Sequence, residues 1–380
     1  MKRVLPGATI GLLGGGQLGR MFTIAARKMG YRVHTFEPTP DSPSGQISDV
    51  EVNRPYTDVE ALRAFAQNVE VVTYEFENIP VEALDALEGR VMLRPGRNVL
   101  HTTQNRRREK EFLNRCGYPV APFRVVTSAQ ELVKAVEELG APCVLKTADF
   151  GYDGRGQQKI YEVPDEKNAA FLWAKHGAPT GVLEKWITFE VELSAIVART
   201  WRGESSVFPI GLNTHEHHIL ATSLVPAPLP PAITARAAEI ARSIADSLEL
   251  VGLLAVEFFL TPDGELLVNE LAPRPHNSGH FSFDACVTSQ FGQQLRAVCG
   301  LPLGDPKLLT PVLMRNLLGD LWARGNPDWI ALLAIPGLKL HLYGKSEPRP
   351  GRKMGHYTIM AESTERALEL DRRAQKILVP

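Results

Sequence analysis

A cluster of glycines near the amino terminus constrains this chain most, because it sits between an apolar strand-like run and a helical pattern. Thr9 to Leu13 reads as a short buried strand, and Gly14, Gly15, Gly16 and Gly19 follow at once. Leu18, Met21, Phe22 and Ala25 then recur at helical spacing, and Tyr31 to Phe36 reads as a second strand. The opening is therefore a βαβ unit. Val69 to Tyr74 adds an apolar, β-branched third strand and Val81 to Leu87 a helix behind Pro80. Together they predict a parallel sheet covered by helices, in a first domain ending near residue 105.

Gly14, Gly16 and Gly19 satisfy G-x-G-x-x-G, and Glu37 ends the next strand where a nicotinamide enzyme places its ribose-binding acid. The physical content of the motif is narrower: a glycine turn whose N–H groups and helix N-terminus face an anion. A dinucleotide, a nucleotide monophosphate and a tight turn without ligand all satisfy it. The same glycines interrupt the apolar run behind Lys2 and Arg3, which excludes a signal peptide.

At 380 residues the chain exceeds one hydrophobic core, so roughly two or three domains sharing clefts are expected. A charged helix, Asn105 to Cys116, stops at Gly117-Tyr118-Pro119 and opens a new unit. There, Gln130 to Leu139 is an amphipathic helix and Cys143 to Thr147 a strand. Gly151 to Gln157 is a loop with three glycines in seven residues. Glu190 to Ala198 and Ser206 to Ile210 read as antiparallel strands, followed by a long helix from Ala232 to Leu248. Leu253 to Leu260 and Leu266 to Leu271 form a hairpin across Thr261-Pro262-Asp263-Gly264, each strand carrying one carboxylate among apolar residues. From about residue 301 a smaller strand-rich terminal domain is expected, with a basic loop at Pro348 to Gly355.

The net charge of -1 argues against a nucleic-acid surface, which needs uncompensated Lys and Arg. No stretch approaches the roughly 20 apolar residues that span a bilayer. Cys116, Cys143, Cys286 and Cys299 form no CxxC pair, so reduced, mostly buried thiols in a cytoplasmic protein are expected.

Lys146 closes an apolar strand just before Gly151-Tyr152-Asp153-Gly154-Arg155-Gly156-Gln157. A glycine loop can fold over a polyphosphate while a lysine leaving a strand neutralises it, and the spacing is not that of a P-loop. Val182 to Ile187 is apolar enough to line a purine pocket through backbone groups, with Glu192 in reach of ribose hydroxyls. Glu257 and Glu270, on paired strands, suit a magnesium ion bridging phosphates. A buried salt bridge is the alternative for each.

The order of these pieces is Asn105-Arg106, Lys146, the glycine loop, Glu184-Lys185-Trp186-Ile187, Glu257 and Asn269-Glu270-Leu271-Ala272-Pro273-Arg274-Pro275-His276-Asn277-Ser278-Gly279-His280. It resembles the ATP-grasp enzymes and, among them, the N5-carboxyaminoimidazole ribonucleotide synthases. Gly14-Gly15-Gly16-Gln17-Leu18-Gly19-Arg20-Met21, Thr73 to Pro80 and Arg349 to His356 resemble that one family too, so the likeness spans nearly the whole chain.

The resemblance implies an α/β ATP-grasp fold with a Rossmann-like parallel-sheet domain over 1–105. It also implies an ATP-grasp domain over 106–300, with a lid around 120–185, and a small strand-rich domain over 301–380. It implies ATP-dependent carboxylation of 5-aminoimidazole ribonucleotide with bicarbonate, through carboxyphosphate, by a cytoplasmic homodimer. ATP would meet Arg106, Lys146, Gly151 to Gln157, Glu184, Lys185, Trp186, Ile187, Glu192, His215, Asn269 and Glu270, with magnesium on Glu257 and Glu270. The ribonucleotide would meet Gly16, Gln17, Leu18 and Glu75 on one side and Lys345, Arg352 and Lys353 on the other. Arg274, His276 and Lys353 would border the reacting centre, Arg274 gripping an anion and His276 taking the amine proton. The blander readings are that Arg274 binds a neighbouring carboxylate, His276 caps a turn and Arg352-Lys353 is a solvated loop. His217 and His218 read as surface or support, and Met1 to Gly7 as remote from the site. Competing functions are another ATP-grasp ligase, such as a formate-using glycinamide ribonucleotide transformylase or a biotin carboxylase. A nicotinamide oxidoreductase and a non-catalytic nucleotide-binding regulator are further alternatives.

Overall fold

The structure, a computed structural model, describes residues 2–149, 156–323 and 325–378. The opening run folds as expected into a parallel sheet of β1 (Thr9–Leu13), β2 (Arg32–Phe36), β3 (Val50–Val52), β4 (Val71–Tyr74) and β5 (Met92–Leu93), in the order β3-β2-β1-β4-β5. The order reverses between β1 and β4, and a doubly wound sheet has its crevice at the carboxyl ends of such a pair. One face packs Leu13, Phe36, Phe65 and Tyr74 under its own helices. The other packs Leu12, Met21 and Phe22 against Phe291, Leu295 and Val298 of helix Gln290–Cys299, so the first unit completes its core with a helix from the second. Met1 to Gly7 was expected to be remote from the site. The part described here is a strap: Val4 is buried, its N–H donates to Cys299 O, and its carbonyl accepts from Tyr31 Oη.

A second, antiparallel sheet contains β6 (Phe123–Val126), β7 (Cys143–Thr147), β8 (Gln157–Ile160) and β9 (Gly181–Lys185), in the order β6-β9-β7-β8. Helix Ala129–Leu139 covers it with Leu132, Ala135 and Val136. Its serine cap, Ser128, accepts from Glu131 N and fixes where the helix starts.

The third sheet is antiparallel and has nine strands: β10 (Val191–Arg199), β11 (Ser205–Val207), β12 (Gly211–Glu216), β13 (Ile219–Val225), β14 (Gly252–Leu260), β15 (Leu266–Ala272), β16 (Val312–Leu318), β17 (Leu338–Leu342) and β18 (Lys353–Met360). Their order is β15-β14-β10-β12-β13-β16-β18-β17, with β11 beside β10. Ser206 to Ile210 was expected as one strand, but β11 stops at Val207, because Pro209 has no N–H to give a ladder. The carboxyl-terminal strands do not form a sheet of their own. β16 pairs with β13, so the last part of the chain extends the central sheet and carries β18 to the site. Cys143, Cys286 and Cys299 are buried free thiols, and Cys116 is exposed. Among the described residues, no helix is long and apolar enough to cross a membrane.

Candidate active site

A cavity of about 430 Å³ opens where the three parts of the chain meet. Gln17, Leu18, Glu75 and Glu77 line it from the first unit, Lys146 and Gln157 from the second sheet, Glu192, Glu257 and Glu270 from the central sheet, and Lys353 from β18.

At the glycine turn, Gly16 N donates to Glu75 Oε1, Gly19 N donates to Glu75 Oε2 at 2.6 Å, and Gly15 N donates to Glu37 Oε2 at 3.0 Å. The N–H groups that would hold a pyrophosphate are thus taken by two carboxylates of the protein. The nicotinamide reading fails here, and Glu37 is a turn ligand rather than a ribose ligand. A Cβ on Gly16 would fall 2.5 Å from Glu75 Oε1, so a larger residue here would have to displace that carboxylate. Burial raises the Glu75 carboxyl, and the Gly19 and Gly16 amides oppose that shift. Gln17 and Leu18, one step along, do face the cavity.

Behind the opposite wall lies a buried charge cluster. Glu184 meets Lys146 at 3.1 Å, Arg106 at 3.6 Å and Lys110 at 3.6 Å. Burial alone would raise this carboxyl, but Lys110, Lys146 and Arg106 together pull it down to about 2. Lys146 is lowered to about 8, by burial first and by Arg106 and Lys110 next, with Glu184 opposing. Arg106 and Lys146 line the cavity, while Glu184, Lys185, Trp186 and Ile187 do not. Lys185 turns away to donate to Gly140 O at 2.6 Å, and Lys159 Nζ sits 4.1 Å over the Trp186 ring. β9 ends at Lys185, whose N–H donates to Pro122 O at 2.8 Å, and Trp186 N donates to Pro142 O at 3.0 Å.

Gln157 lines the cavity. Gly156 has φ +73, and a Cβ there would meet Thr147 Oγ1 at 2.6 Å. Gly151, Tyr152, Asp153, Gly154 and Arg155 lie outside the described residues.

Glu192 on β10 contacts His215 Nδ1. Burial would lower this imidazole, yet the carboxylate outweighs burial and raises it. His217 and His218 take left-handed φ values of 51° and 66° in the β12–β13 turn. His218 is exposed, as the surface reading held, and also lines the cavity.

Glu257 and Glu270 are direct partners across β14 and β15. Burial and the facing Glu270 raise Glu257 to about 7. Two such carboxylates on one face invite a hard dication. Among the described residues, no group of three or more His, Cys, Asp or Glu side chains is arranged to hold a metal. A cation held here would therefore draw its other ligands from water and phosphate oxygens, which suits magnesium. Asn269 lines the cavity beside Glu270.

Arg274 engages both oxygens of Glu77, Nη2 donating to Oε1 at 2.8 Å and Nε to Oε2, while still lining the cavity. It thus binds a neighbouring carboxylate, as its blander reading held, and in doing so joins the first unit to the central sheet. Burial would raise Glu77, and Arg274 reverses it. His276 is clamped by Gln290, whose Oε1 accepts from His276 N at 2.9 Å and whose Nε2 donates to His276 O at 2.8 Å. Its Nδ1 lies 2.9 Å from Ser278 Oγ, leaving Nε2 towards Glu257 at 3.6 Å. Burial, Arg274 and Lys353 hold this imidazole well below its usual range, so it is neutral. Lys345 donates to Gln17 Oε1 at 2.8 Å and to Lys353 O at 2.7 Å. Burial, Arg352 and Lys353 lower it to about 8. Arg352 stays on its loop, donating to Glu347 O at 2.8 Å.

Glu77, Lys110 and Gln290 were missed by sequence reasoning. Lys110 had a legible signal: a charge three residues before Leu113, on the face of helix Arg106–Arg115 that must be buried. The other two have partners too distant in sequence for any spacing to reveal.

Comparison with known proteins agrees with this geometry. The chain matches the ribonucleotide synthetase preATP-grasp domain over residues 7–104 and the ATP-grasp domain over 111–291. It matches the phosphoribosylaminoimidazole carboxylase C-terminal domain over 312–370. It is 50% identical over 361 residues to the N5-carboxyaminoimidazole ribonucleotide synthase of Bacillus subtilis (strain 168), covering 94% of this chain and 93% of that one. An ADP complex of an N5-carboxyaminoimidazole ribonucleotide synthetase superposes with a TM-score of 0.92 at 45% identity, covering 99% of this chain and 98% of that one. An Aspergillus clavatus synthase, solved with ADP and 5-aminoimidazole ribonucleotide, superposes with a TM-score of 0.87 at 31% identity, covering 98% of each chain. With paired acids, a cavity-lining lysine and a cavity walled by all three matched domains, the chain belongs to the N5-carboxyaminoimidazole ribonucleotide synthase family of ATP-grasp ligases.

Proposed function

We propose that this enzyme carboxylates the exocyclic amine of 5-aminoimidazole ribonucleotide, using ATP and bicarbonate, and releases ADP and phosphate in purine biosynthesis. The observation that carries the reading is the facing pair Glu257 and Glu270, set in a cavity that also takes Gln17 and Leu18 from the first unit and Lys353 from β18. The triphosphate lies along Arg106, Lys146 and Gln157, with the ribose towards Glu192 and His215. Glu257 and Glu270 would hold magnesium, which when bound neutralises charge on the phosphates. A bicarbonate oxygen attacks the γ-phosphorus, the bond to the β-phosphate oxygen breaks, and ADP leaves with carboxyphosphate behind it. Lys353 and the rim of the Arg274 guanidinium stabilise that anion in a site closed to water. Carboxyphosphate splits into carbon dioxide and phosphate, the amine nitrogen bonds the carbon, and the released phosphate takes the displaced proton. His276 Nδ1 accepts from Ser278 N at 3.3 Å, so its neutral ring carries a proton on Nε2 and serves as a donor to an anion rather than as the base first expected. Gln17, Leu18 and Glu75 would hold the ribonucleotide from the first unit, with Gly16 shaping the turn, and Lys345, Arg352 and Lys353 would hold its phosphate from the last.

The three working parts divide near residues 105 and 300, the last lending its strands to the sheet of the second. A cytoplasmic homodimer is the assembly proposed, on the strength of the family resemblance, and sedimentation velocity tests it. ADP formation with bicarbonate, with and without aminoimidazole ribonucleotide, tests the reaction. Strong dependence on that nucleotide is expected. Equal stimulation by glycinamide ribonucleotide with formate, or by biotin, would assign the chain to another ATP-grasp chemistry.

A further inference from the structure

In a regular strand, side chains alternate, so residues three apart point to opposite faces. β15 breaks this rule beside the site. Val268 and Leu271 both pack in the same core, while Asn269 and Glu270 between them both line the cavity. The pairing explains it: Glu257 faces Glu270 but Phe258 faces Val268, so Asn269 is an extra residue, a bulge that re-aims its neighbours. Val268 O and Asn269 O are carbonyls of this bulge, and both accept from one buried ammonium.

We propose that Lys110 is a positioning residue that fixes this bulge and so aims Glu270, and through it the carboxylate pair, at the bound cation. Its ammonium is fully buried on helix Arg106–Arg115 and donates to Val268 O at 3.3 Å and to Asn269 O at 3.1 Å. Its third partner is Glu184 at 3.6 Å. Two hydrogen bonds to carbonyls and an ion pair to a carboxylate meet at one nitrogen, a combination that no neutral side chain provides. Glu109, the preceding residue, accepts from Leu271 N at 3.0 Å, so two adjacent side chains grip the strand on either side of Glu270. Arg106 and Lys146 reach Glu184 directly, so the cations proposed for the phosphates keep that partner without Lys110. This role rests on the proposed reading of Glu257 and Glu270 as cation ligands.

The test is Mn²⁺ binding to the full chain with ADP present, read by electron paramagnetic resonance. The wild type, Lys110→Met, Lys110→Gln and Glu270→Gln are compared, with metal-free ADP affinity and thermal unfolding measured alongside. Lys110→Met is expected to weaken Mn²⁺ binding by about tenfold to a hundredfold, the usual consequence of losing a group that orients a metal ligand. Metal-free ADP affinity should hold. Lys110→Gln, which keeps two N–H donors without the charge, should fall between Met and wild type. Wild-type Mn²⁺ affinity in Lys110→Met overturns the proposal, and so does an equal loss of metal-free ADP affinity, which would mark general loosening. Failure of both lysine variants to fold overturns it as well, because Lys110 would then be a core residue first. Wild-type Mn²⁺ affinity in Glu270→Gln removes instead the underlying two-carboxylate reading.

Discussion

Glu184 faces three cations in a space closed to solvent, and that imbalance sets two measurable behaviours. Its carboxyl sits at about 2 in the fold, against about 4.3 for an unfolded glutamate. The stabilisation is therefore present above pH ~4.3, amounts to about 3 kcal/mol there, and drains away as pH falls towards 2. Glu184→Gln leaves three buried cations short of an anion and is expected to cost roughly 3–5 kcal/mol in urea unfolding at pH 7. The variant should also flatten the acid limb of the stability curve; an unchanged limb would mean that the cluster forms equally without its anion. Lys146 gives the second behaviour. Held at about 8, its ammonium is charged below that pH and neutral above it. A polyphosphate binds the charged form, so ATP affinity is expected to be level from pH 7 to about 8 and to weaken beyond. In Lys146→Met, affinity should be lower throughout and the break should vanish. Calorimetric titration at several pH values decides, and a break that survives in the variant assigns it to another group.

Helix Thr364–Leu378 is the element that secures the last three strands. Leu370 and Ala374 pack with Tyr357 and Ile359 of β18, and one buried polar contact fixes their register. Asp371 accepts from Arg315 Nε at 2.9 Å and Nη2 at 2.8 Å, and from Tyr357 Oη at 2.6 Å. Asp371→Asn leaves Arg315 facing Glu216 alone, at 3.6 Å. The loss is expected to be about 3 kcal/mol, as for other buried pairs broken on one side. Trp322 and Trp329, 5.6 Å apart in the same region, should report it as an early fluorescence transition. A single transition at the wild-type midpoint would contradict it. Elements of this kind were partly legible in the sequence. Three of the five strands of the first sheet, β1, β2 and β4, and the β14–β15 hairpin were legible from their apolar runs and turn residues, while the short edge strands β3 and β5 were not. That β16 pairs with β13 was not, because apolar alternation marks a strand without saying which edge receives it. The bulge in β15 escaped for a related reason: an extra residue is defined only against its partner strand.

At the scale of the whole molecule, the legible part of the site was local and the illegible part spans its units. Glu257 and Glu270 stood out because each is a carboxylate inside an apolar strand joined by a short turn. Glu77 did not, since its partner Arg274 lies 197 residues away and Glu75, two positions earlier, was an equal candidate. Yet that pair closes the cavity, joining the end of the parallel sheet to the segment that carries His276. In the proposed reading the ribonucleotide lies between these units and ATP within the second, so the two substrates should feel the joint unequally. Glu77→Gln keeps the side chain's size and frees the guanidinium to swing. The expected result is a rise of about tenfold or more in KM for aminoimidazole ribonucleotide, in line with the cost of small misplacements at a reacting centre. KM for ATP should change little, and ADP release should become less dependent on the ribonucleotide. Steady-state kinetics with each substrate varied in turn reads all three quantities. If both KM values rise together, the pair supports the fold as a whole and does not set the distance between the amine and the phosphate.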